Sequence, residues 1–287
     1  MSVITGRTKN LAVIGYPIHH SLSPTMQNAA LGRAGLDYVY AALSVAPDNL
    51  AAAVAGLKAL EFRGFNVTIP HKTTVMKYLD EVDSSAQIIG AVNTVVNDDG
   101  RLKGYNTDAL GFIHALRDAG FTPRDKCAVV LGAGGAAKAV TQSLLAAQVA
   151  ELIVGARNGE KAHDFAKMFA AHGNVCGFEW KSAEFVAALS RADLLVNTTP
   201  LGMCPNVDAM PPLDLSRLKT SAFVYDIIYT PAQTRLLKEA ASAGHRTLNG
   251  ENMLVWQGAE AFRLWTGRMP DTELMMNVLR EQLRSNR

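Results

Sequence analysis

The sequence is poor in cysteine and lacks long hydrophobic runs, and each absence excludes a class of protein. Its three cysteines are far apart and have no CxxC spacing, which argues against a disulfide framework, so we expect core thiols at Cys127, Cys176 and Cys204. No uncharged apolar run reaches roughly 18 residues, so no segment is expected to span a membrane. The short N-terminal run LAVIG is typical of a buried strand, not of a signal core, and predicts a cytoplasmic protein.

The sequence also lacks blocks of like charge. Its formal net charge is +2 and the basic residues are scattered, which argues against a nucleic-acid partner and favours a small-molecule one. His19 and His20 are adjacent, but no HExxH or comparable spacing places two ligands on one helix face, so we expect no metal site. The length of 287 residues allows one or two packed domains.

Strand-like and helix-like segments alternate along the N-terminal half, which predicts βαβ units and a parallel sheet. Pro24 and Pro47 lie where a first helical turn would begin, beside the capping-type residues Ser23 and Asp48. The alternating pairs are NLAVIG with PTMQNAALGRAG, YVYAALSV with PDNLAAAVAGLKAL, and GFNVTI with TTVMKYLDEV.

A second alternating set begins near Lys126 and predicts a complete nucleotide-binding sheet. Two helical patterns follow it without a strand between them, ENMLVWQGAEAFRLWTG and DTELMMNVLREQL. The set itself consists of CAVVLG, the helix AAKAVTQSLLAA, ELIVGA, a helix from Glu160, DLLVN and AFVYDI.

The segment VVLGAGGAAKAV follows a predicted strand, opens a helix and places Gly132, Gly134 and Ala137 in a GxGxxG/A pattern. Gly132 permits a tight turn, Gly134 lets backbone amides approach a pyrophosphate, and Ala137 allows close helix packing. The alternative is a tight strand-to-helix turn without a ligand. The order of strand, glycines and helix favours dinucleotide binding.

The next strand ends at Arg157, where an enzyme specific for NAD normally has an acidic residue that accepts from the ribose hydroxyls. Lys161 follows one helical turn later, so two cations could pair with a 2′-phosphate. This pattern favours NADP over NAD. The alternative is that both residues are ordinary solvated charges at the start of a helix.

Four polar clusters, HSLSP, NVTIPHK, GAVNT and GYNTD, lie at the ends of predicted strands, where open parallel sheets place their ligands. Extended backbone at Leu22 would point the hydroxyls of Ser21 and Ser23 to one side, which suits a carboxylate. The alternative for Ser23 is helix capping, and capping is also the alternative for the cluster Asn106–Asp108.

These clusters, together with GAGGAA, NTTPLGM and MLVWQGA, resemble the shikimate dehydrogenase family in order and spacing from about Val13 to Gly267. The resemblance implies an α/β fold with two domains. Residues 1–107 and 251–287 would form an open α/β substrate-binding domain, and residues 108–250 would form a Rossmann-fold NADP-binding domain. It also implies NADPH-dependent reduction of 3-dehydroshikimate to shikimate, on the pathway to chorismate and aromatic amino acids.

The family's catalytic pair corresponds here to Lys72 and Asp108. By the same resemblance, the substrate would contact Ser21, Ser23, Thr68, Lys72, Asn93, Asp108, Tyr229 and Gln257. The cofactor would contact Gly132, Ala133, Gly134, Gly135, Ala136, Arg157, Asn158, Lys161, Thr198, Ile227 and Gly250.

Two departures from the family pattern stand out. Asn158 replaces a threonine that commonly follows the arginine, which weakens the argument for NADP, and Gln27 replaces a histidine, which we expect to affect helix packing more than chemistry. A quinate/shikimate dehydrogenase of dual substrate or cofactor use is one alternative, against which Ser23 and Arg157 argue. Another is a non-catalytic NADP-binding sensor, which would not need both Lys72 and Asp108. We expect a monomer or a homodimer.

Overall fold

The computed structural model describes residues 4–285, and over these residues the chain forms twelve strands and ten α-helices. The strands are β1 (Lys9–Gly15), β2 (Tyr38–Ser44), β3 (Gly64–Val67), β4 (Glu81–Val82), β5 (Thr94–Asp98), β6 (Arg101–Tyr105), β7 (Cys127–Leu131), β8 (Glu151–Ala156), β9 (Val175–Glu179), β10 (Leu194–Asn197), β11 (Phe223–Asp226) and β12 (Arg246–Leu248). The helices are α1 (Ser23–Arg33), α2 (Leu50–Ala59), α3 (Ser84–Ile89), α4 (Thr107–Asp118), α5 (Gly135–Ala146), α6 (Gly159–Phe169), α7 (Ala183–Leu189), α8 (Arg235–Ser242), α9 (Glu251–Thr266) and α10 (Thr272–Ser285).

The chain divides into two compact units, each with its own sheet and core. The first unit runs to Gly111 and resumes at Val255, and the second is Phe112–Leu254. The two-domain α/β fold predicted from the sequence is therefore confirmed. Within the described residues, no helix is both long and apolar enough to cross a bilayer.

The sheet of the first unit has the strand order β2-β1-β3-β5-β6-β4. β1 is parallel to β2 and β3, as predicted, whereas β5 is antiparallel to both β3 and β6, two pairings that the alternation did not predict. The chain reverses between β5 and β6 through a tight turn. Asp99 and Gly100 both have positive φ, of 48° and 85°, which is the geometry that reverses a chain into a hairpin.

The segment TTVMKYLDEV was predicted to be helical, but it forms a short 3-10 helix over Thr74–Tyr78 and then β4. Asp80 explains the difference. Its backbone N donates to the Leu102 carbonyl over 3.0 Å, and its carboxylate accepts from the Leu102 N–H over 2.7 Å. These bonds tie the segment to β6, and a tertiary contact therefore overrides a local helical pattern.

The sheet of the second unit has the order β12-β11-β10-β7-β8-β9, and every described pair in it is parallel. This is the doubly wound order of a Rossmann fold. The strands predicted from the sequence are confirmed, whereas β9 and β12 were missed. Both are edge strands whose residues are half-buried or exposed, so they carry little apolar signal.

The cysteines depart from expectation at one position. Cys127 and Cys176 are half-buried, but Cys204 is exposed, so it is not a core thiol. The predicted helix starts are correct: α1 has Pro24 in its first turn, and a 3-10 turn beginning at Pro47 leads into α2.

Candidate active site

Lys72 and Asp108 form a short polar contact at the candidate site of the first unit. Lys72 Nζ donates to Asp108 Oδ2 over 2.6 Å. The lysine side chain is 31% exposed and the aspartate side chain 18%, so the pair is shielded but still reachable from outside. Such a charge-assisted bond holds the ammonium in one direction. The arrangement can present a proton and a positive charge to a neighbouring oxygen.

The backbone at Lys72 is held by three contacts. The Lys72 carbonyl accepts from Val92 N over 2.8 Å, and His71 N donates to the Thr68 carbonyl over 2.9 Å. The buried His71 ring also hydrogen-bonds the Val45 carbonyl through Nε2, over 2.7 Å. The lysine therefore extends from a fixed support, although it lies outside any helix or strand.

Asp108 lies in the first turn of α4, where the helix dipole stabilises a carboxylate. Capping, the alternative role for this cluster, belongs to Asn106, whose Oδ1 accepts from Asp108 N over 3.1 Å and from Ala109 N over 3.3 Å. The Asp108 carboxylate is therefore not used as the cap. Its Oδ1 accepts instead from Asn93 Nδ2 over 2.8 Å, so Lys72, Asp108 and Asn93 are joined directly.

The serine cluster has a different backbone from the one expected. Leu22 has φ −88° and ψ −8°, which is helical, so the extended backbone that would point both hydroxyls to one side is not formed. A turn replaces it, in which the Ser21 hydroxyl oxygen accepts from Ser23 N over 3.4 Å. Ser23 is the first residue of α1 and makes no side-chain cap, so the capping alternative does not describe it. Both serines are half-buried.

Thr68 and Gln257 are half-buried in the first unit. Thr68 follows β3, and its backbone N donates to the Ile14 carbonyl of β1 over 2.9 Å, so the ends of two parallel strands meet there. Gln257 lies on α9, and the carbonyl of the next residue, Gly258, accepts from Gln27 Nε2 over 2.9 Å. Gln27, the departure noted in the sequence, thus contacts the backbone of the helix that carries Gln257.

Tyr229, predicted to contact the substrate, lies in the second unit after β11. It is half-buried, and burial raises the pKa of its hydroxyl above the ordinary value. The phenol therefore stays protonated at neutral pH and keeps its capacity to donate.

The glycine loop of the second unit connects β7 to α5. Gly132 has φ +104°, and a Cβ there would lie 2.9 Å from Thr198 Oγ1. A Cβ added at Gly134 or Gly135 would have no heavy atom within 4 Å, so a ligand can approach their backbone amides at the start of α5. Ala133 and Ala136 are half-buried beside them, and Ala137 is fully buried against the sheet.

Thr198 follows β10, the strand beside β7, and these two strands form the point where the strand order reverses. The Thr198 hydroxyl donates to the Leu131 carbonyl over 2.6 Å, which joins the two strand ends. In doubly wound sheets the ligand crevice opens at this reversal. The structure thus brings the glycine loop and Thr198 together.

Arg157 and Lys161 are both exposed at the start of α6, and among the described residues neither makes an ion pair. Asn158 begins the helix, because its Oδ1 accepts from Lys161 N over 2.8 Å. Two cations beside a capped helix N-terminus form a site suited to a phosphate group. In the described part of the chain, no group of three His, Cys, Asp or Glu side chains is placed to hold a metal ion.

Ile227 and Gly250 meet where β11 ends. A Cβ on Gly250 would collide with the Ile227 carbonyl, and Gly250 N donates to the Ile228 carbonyl over 2.9 Å. Sequence reasoning missed the buried Asp226 beside them, which accepts from Asn197 Nδ2 over 3.0 Å and from the Thr234 hydroxyl over 2.7 Å. Burial raises the pKa of Asp226 to about 6.

A doubly wound nucleotide-binding sheet in the second unit, together with a Lys–Asp pair in the first, defines a two-domain dehydrogenase that uses a nicotinamide dinucleotide. Over 285 residues the chain is 46% identical to the shikimate dehydrogenase (NADP(+)) of Moorella thermoacetica, covering 99% of this chain and 96% of the relative. The chain therefore belongs to the shikimate dehydrogenase family.

Three family models agree with this assignment. Residues 13–95 match a shikimate dehydrogenase substrate binding domain, residues 116–201 match shikimate / quinate 5-dehydrogenase, and residues 250–280 match the shikimate 5′-dehydrogenase C-terminal domain.

Solved structures show the same fold and differ in their ligands. Shikimate 5-dehydrogenase from Listeria monocytogenes, in complex with shikimate and NAD, is 36% identical with a TM-score of 0.93, covering 97% of this chain and 99% of that one. Quinate dehydrogenase from Corynebacterium glutamicum, in complex with NAD, is 32% identical with a TM-score of 0.87, covering 96% and 99%. The fold alone therefore does not select the substrate.

Proposed function

We propose that this chain is an NADP-dependent shikimate dehydrogenase that reversibly reduces the ring ketone of 3-dehydroshikimate to the hydroxyl of shikimate. The observation that carries the proposal is the 2.6 Å contact between Lys72 Nζ and Asp108 Oδ2. This contact occurs in a chain whose relatives at 46% and 45% identity are shikimate dehydrogenases (NADP(+)). A non-catalytic sensor would have no use for this pair.

Bound NADPH supplies the hydride that reduces the carbonyl carbon. Lys72 acts on the oxygen of the same carbonyl: its ammonium stabilises the developing negative charge and then transfers one proton, which leaves a neutral amine. Asp108 holds the lysine in the direction of that oxygen, and Asn93 holds Asp108. In the oxidative direction neutral Lys72 accepts the hydroxyl proton, so the same contacts serve both directions.

The remaining polar residues would contact different groups of the substrate. Ser21 and Ser23 would donate to its carboxylate, with Thr68 as a further donor. Asn93, Asp108 and Gln257 bind ring hydroxyls. A site that bonds each hydroxyl rejects analogues that lack one, because a buried polar group would then be unpaired.

The cofactor occupies the second unit in this proposal. The loop Gly132–Ala136 would hold the pyrophosphate, and Thr198, Ile227 and Gly250 would also contact the cofactor. Arg157 and Lys161 would pair with the 2′-phosphate, and Asn158 keeps the helix start in place for them. The free cations at this corner support NADP over NAD.

We place the reaction in the cytoplasm with a small molecule as the partner, and we expect a monomer or a homodimer. No membrane or nucleic-acid partner is needed for this chemistry.

The test is a steady-state panel that crosses shikimate and quinate with NADP and NAD, for the wild type and for Arg157→Ala. We expect the highest kcat/KM with shikimate and NADP. Arg157→Ala should raise KM for NADP by about tenfold or more and leave KM for NAD nearly unchanged, because NAD has no 2′-phosphate to lose a contact. Lys238→Ala, which removes an exposed charge on α8, is the matched control.

Two outcomes would contradict the proposal in different ways. Turnover with quinate and NAD alone would overturn both specificities and favour the quinate alternative. Binding of NADP without turnover of either substrate would favour the sensor.

A further inference from the structure

A buried polar network joins Tyr40 to Asp108 within the first unit. The Tyr40 hydroxyl donates to Asn66 Oδ1 over 2.6 Å, and Asn66 Nδ2 donates to Thr94 Oγ1 over 2.9 Å. Asn66 Nδ2 also donates to the Asn93 carbonyl over 3.0 Å. Asn93 Nδ2 then donates to Asp108 Oδ1 over 2.8 Å. The path is continuous and ends on the partner of Lys72.

The strand register places this network inside the sheet. Asn66 of β3 lies opposite Thr94 of β5, and Tyr40 comes from β2. Tyr40 is 2% exposed, Asn66 7%, Asn93 3% and Thr94 0%. Asn28 of α1 fixes the backbone of Tyr40, because its side-chain amide donates to the Tyr40 carbonyl and accepts from the Tyr40 N–H. Polar groups buried this deeply are costly unless they are bonded, so each contact restricts its neighbours.

The direction of the Asn93 amide follows from its neighbours. Thr107 N can only donate, and it meets Asn93 Oδ1 over 2.7 Å. The Asp108 carboxylate, when ionised, can only accept, and it meets Asn93 Nδ2. If the Asn93 amide were flipped, its Nδ2 would face the Thr107 N–H, donor against donor. Its Oδ1 would then face the Asp108 carboxylate, acceptor against acceptor. Asn93 therefore holds Asp108 in only one of its two amide orientations.

The same reasoning reaches Tyr40. The Asn93 carbonyl can only accept, so the atom of Asn66 that meets it must be Nδ2, which leaves Oδ1 facing the phenol. Tyr40 must then donate. Burial raises the pKa of Tyr40 well above its ordinary value, so the phenol keeps its proton at neutral pH.

We propose that Tyr40 is a positioning residue for the reaction. Its hydroxyl fixes the Asn66 amide, and the Asn66 amide supports the backbone of Asn93, just before β5. Asn93 in turn holds Asp108 against Lys72. This inference rests on the proposed function, because its test measures the turnover of shikimate. It concerns a residue that touches neither substrate nor cofactor. One hydroxyl thereby acts on the Lys72–Asp108 pair through two buried amides.

The first test compares the wild type with Tyr40→Phe, which removes the hydroxyl and keeps the ring. We expect kcat/KM for shikimate to fall by about tenfold, while KM for NADP stays within about twofold of the wild-type value. The melting temperature should also fall, because Asn66 Oδ1 is left buried without a donor. Asn97→Ala is the control, since it removes a buried polar contact at the far end of β5, outside the network.

The double variant Tyr40→Phe/Asn66→Leu separates positioning from stability. It removes the orphaned acceptor, and Thr94 and Asn93 keep other partners, so the melting temperature should recover towards the wild-type value. A positioning role requires kcat/KM to stay low in the double variant. Recovery of kcat/KM together with the melting temperature would overturn the proposal, as would wild-type kcat/KM in folded Tyr40→Phe.

The wild-type measurement separates this inference from the proposed function. If the wild type does not turn over shikimate, the proposed function fails. The kcat/KM of each variant relative to the wild type is then measured with the substrate of the panel that the wild type does use.

Discussion

Lys72 and Asp108 are held in place by contacts beyond their own ion pair. The backbone contacts at Lys72 and the cap at Asn106 fix both residues. Their side chains remain 31% and 18% exposed, so the pair is shielded but still reachable. A reaction that transfers a proton requires its groups to be aligned in this way.

Lys72→Met should separate chemistry from binding. Methionine keeps most of the apolar stem but has no proton to give and no charge, so we expect kcat to fall by about 10²- to 10⁴-fold. NADPH affinity, measured by fluorescence titration, should remain close to the wild-type value. Lys77→Met, an exposed lysine in the following turn, is the control. A Lys72→Met enzyme within tenfold of wild-type kcat would rule out the proton-transfer role.

At the residue scale, local sequence predicts groups whose surroundings are also local. Lys72, Asp108 and Asn93 lie in compact motifs at strand ends, and the structure joins them. Tyr40 and Asn66 could not be predicted, because their partners come from different strands and depend on sheet register. An isolated tyrosine in an apolar strand gives no sign that its hydroxyl has one required direction.

At the element scale, the glycine loop contains two glycines with different physical requirements. Gly132 needs a positive φ and has Thr198 Oγ1 2.9 Å from the position of an added Cβ. Gly134 has φ −98° and ψ −168°, which any residue can adopt, and no neighbour lies within 4 Å of its Cβ position. The protein alone therefore does not require glycine at position 134, whereas a closely approaching pyrophosphate would.

Gly134→Ala and Gly132→Ala should consequently have different effects. We expect Gly134→Ala to keep the wild-type melting temperature while its KM for NADPH rises by about tenfold or more, because the methyl group occupies the space of the phosphates. Gly132→Ala should lose stability as well, by about 1–3 kcal/mol, from a strained φ and crowding. Thermal unfolding and steady-state kinetics of both variants are the measurements. Unchanged NADPH binding in Gly134→Ala would place the pyrophosphate elsewhere.

Other elements show where local patterns stop being sufficient. β1 and β3 were predicted because buried strands carry continuous apolar runs, and β2 was predicted from its apolar residues although only Tyr40 of it is buried. The hairpin of β5 and β6 was missed, although the sequence Asp98-Asp99-Gly100 carries a turn signal that could have identified it. The turn at Ser21 was missed for another reason. The Ser21 hydroxyl accepts from the backbone N–H of Ser23, and this local bond favours a turn over extended backbone. The alternation of apolar and polar residues does not reveal such a bond.

At the scale of the whole molecule, alternation predicts that a doubly wound sheet exists, and the structure supplies its strand order. Right-handed crossovers restrict the possible orders, and the reversal between β7 and β10 places the glycine loop and Thr198 at one edge. The sequence alone could not place Asp226. Its burial results from packing at the end of β11 against a segment eight residues away and a neighbouring strand.

Asp226 should therefore affect the stability of the molecule as a function of pH. Burial raises its pKa from 3.8 to about 6, against hydrogen bonds from Thr234, Ile228 and Asn197 that lower it. The native state thus keeps a proton that the unfolded chain releases near pH 4. The stabilising contribution is complete below that pH and is lost as pH rises to about 6, with a total of about 3 kcal/mol.

Asp226→Asn removes the titration while keeping a side chain of the same shape. The free energy of unfolding of the variant, measured by urea denaturation from pH 4 to pH 8, should rise relative to the wild type between about pH 4 and pH 6 and then remain constant. Asp214→Asn is the control, because hydrogen bonding to Ser216 lowers the pKa of that exposed carboxyl, and its titration lies below this window. A difference between Asp226→Asn and the wild type that does not change with pH would mean that Asp226 is already ionised throughout, with its three donors outweighing burial.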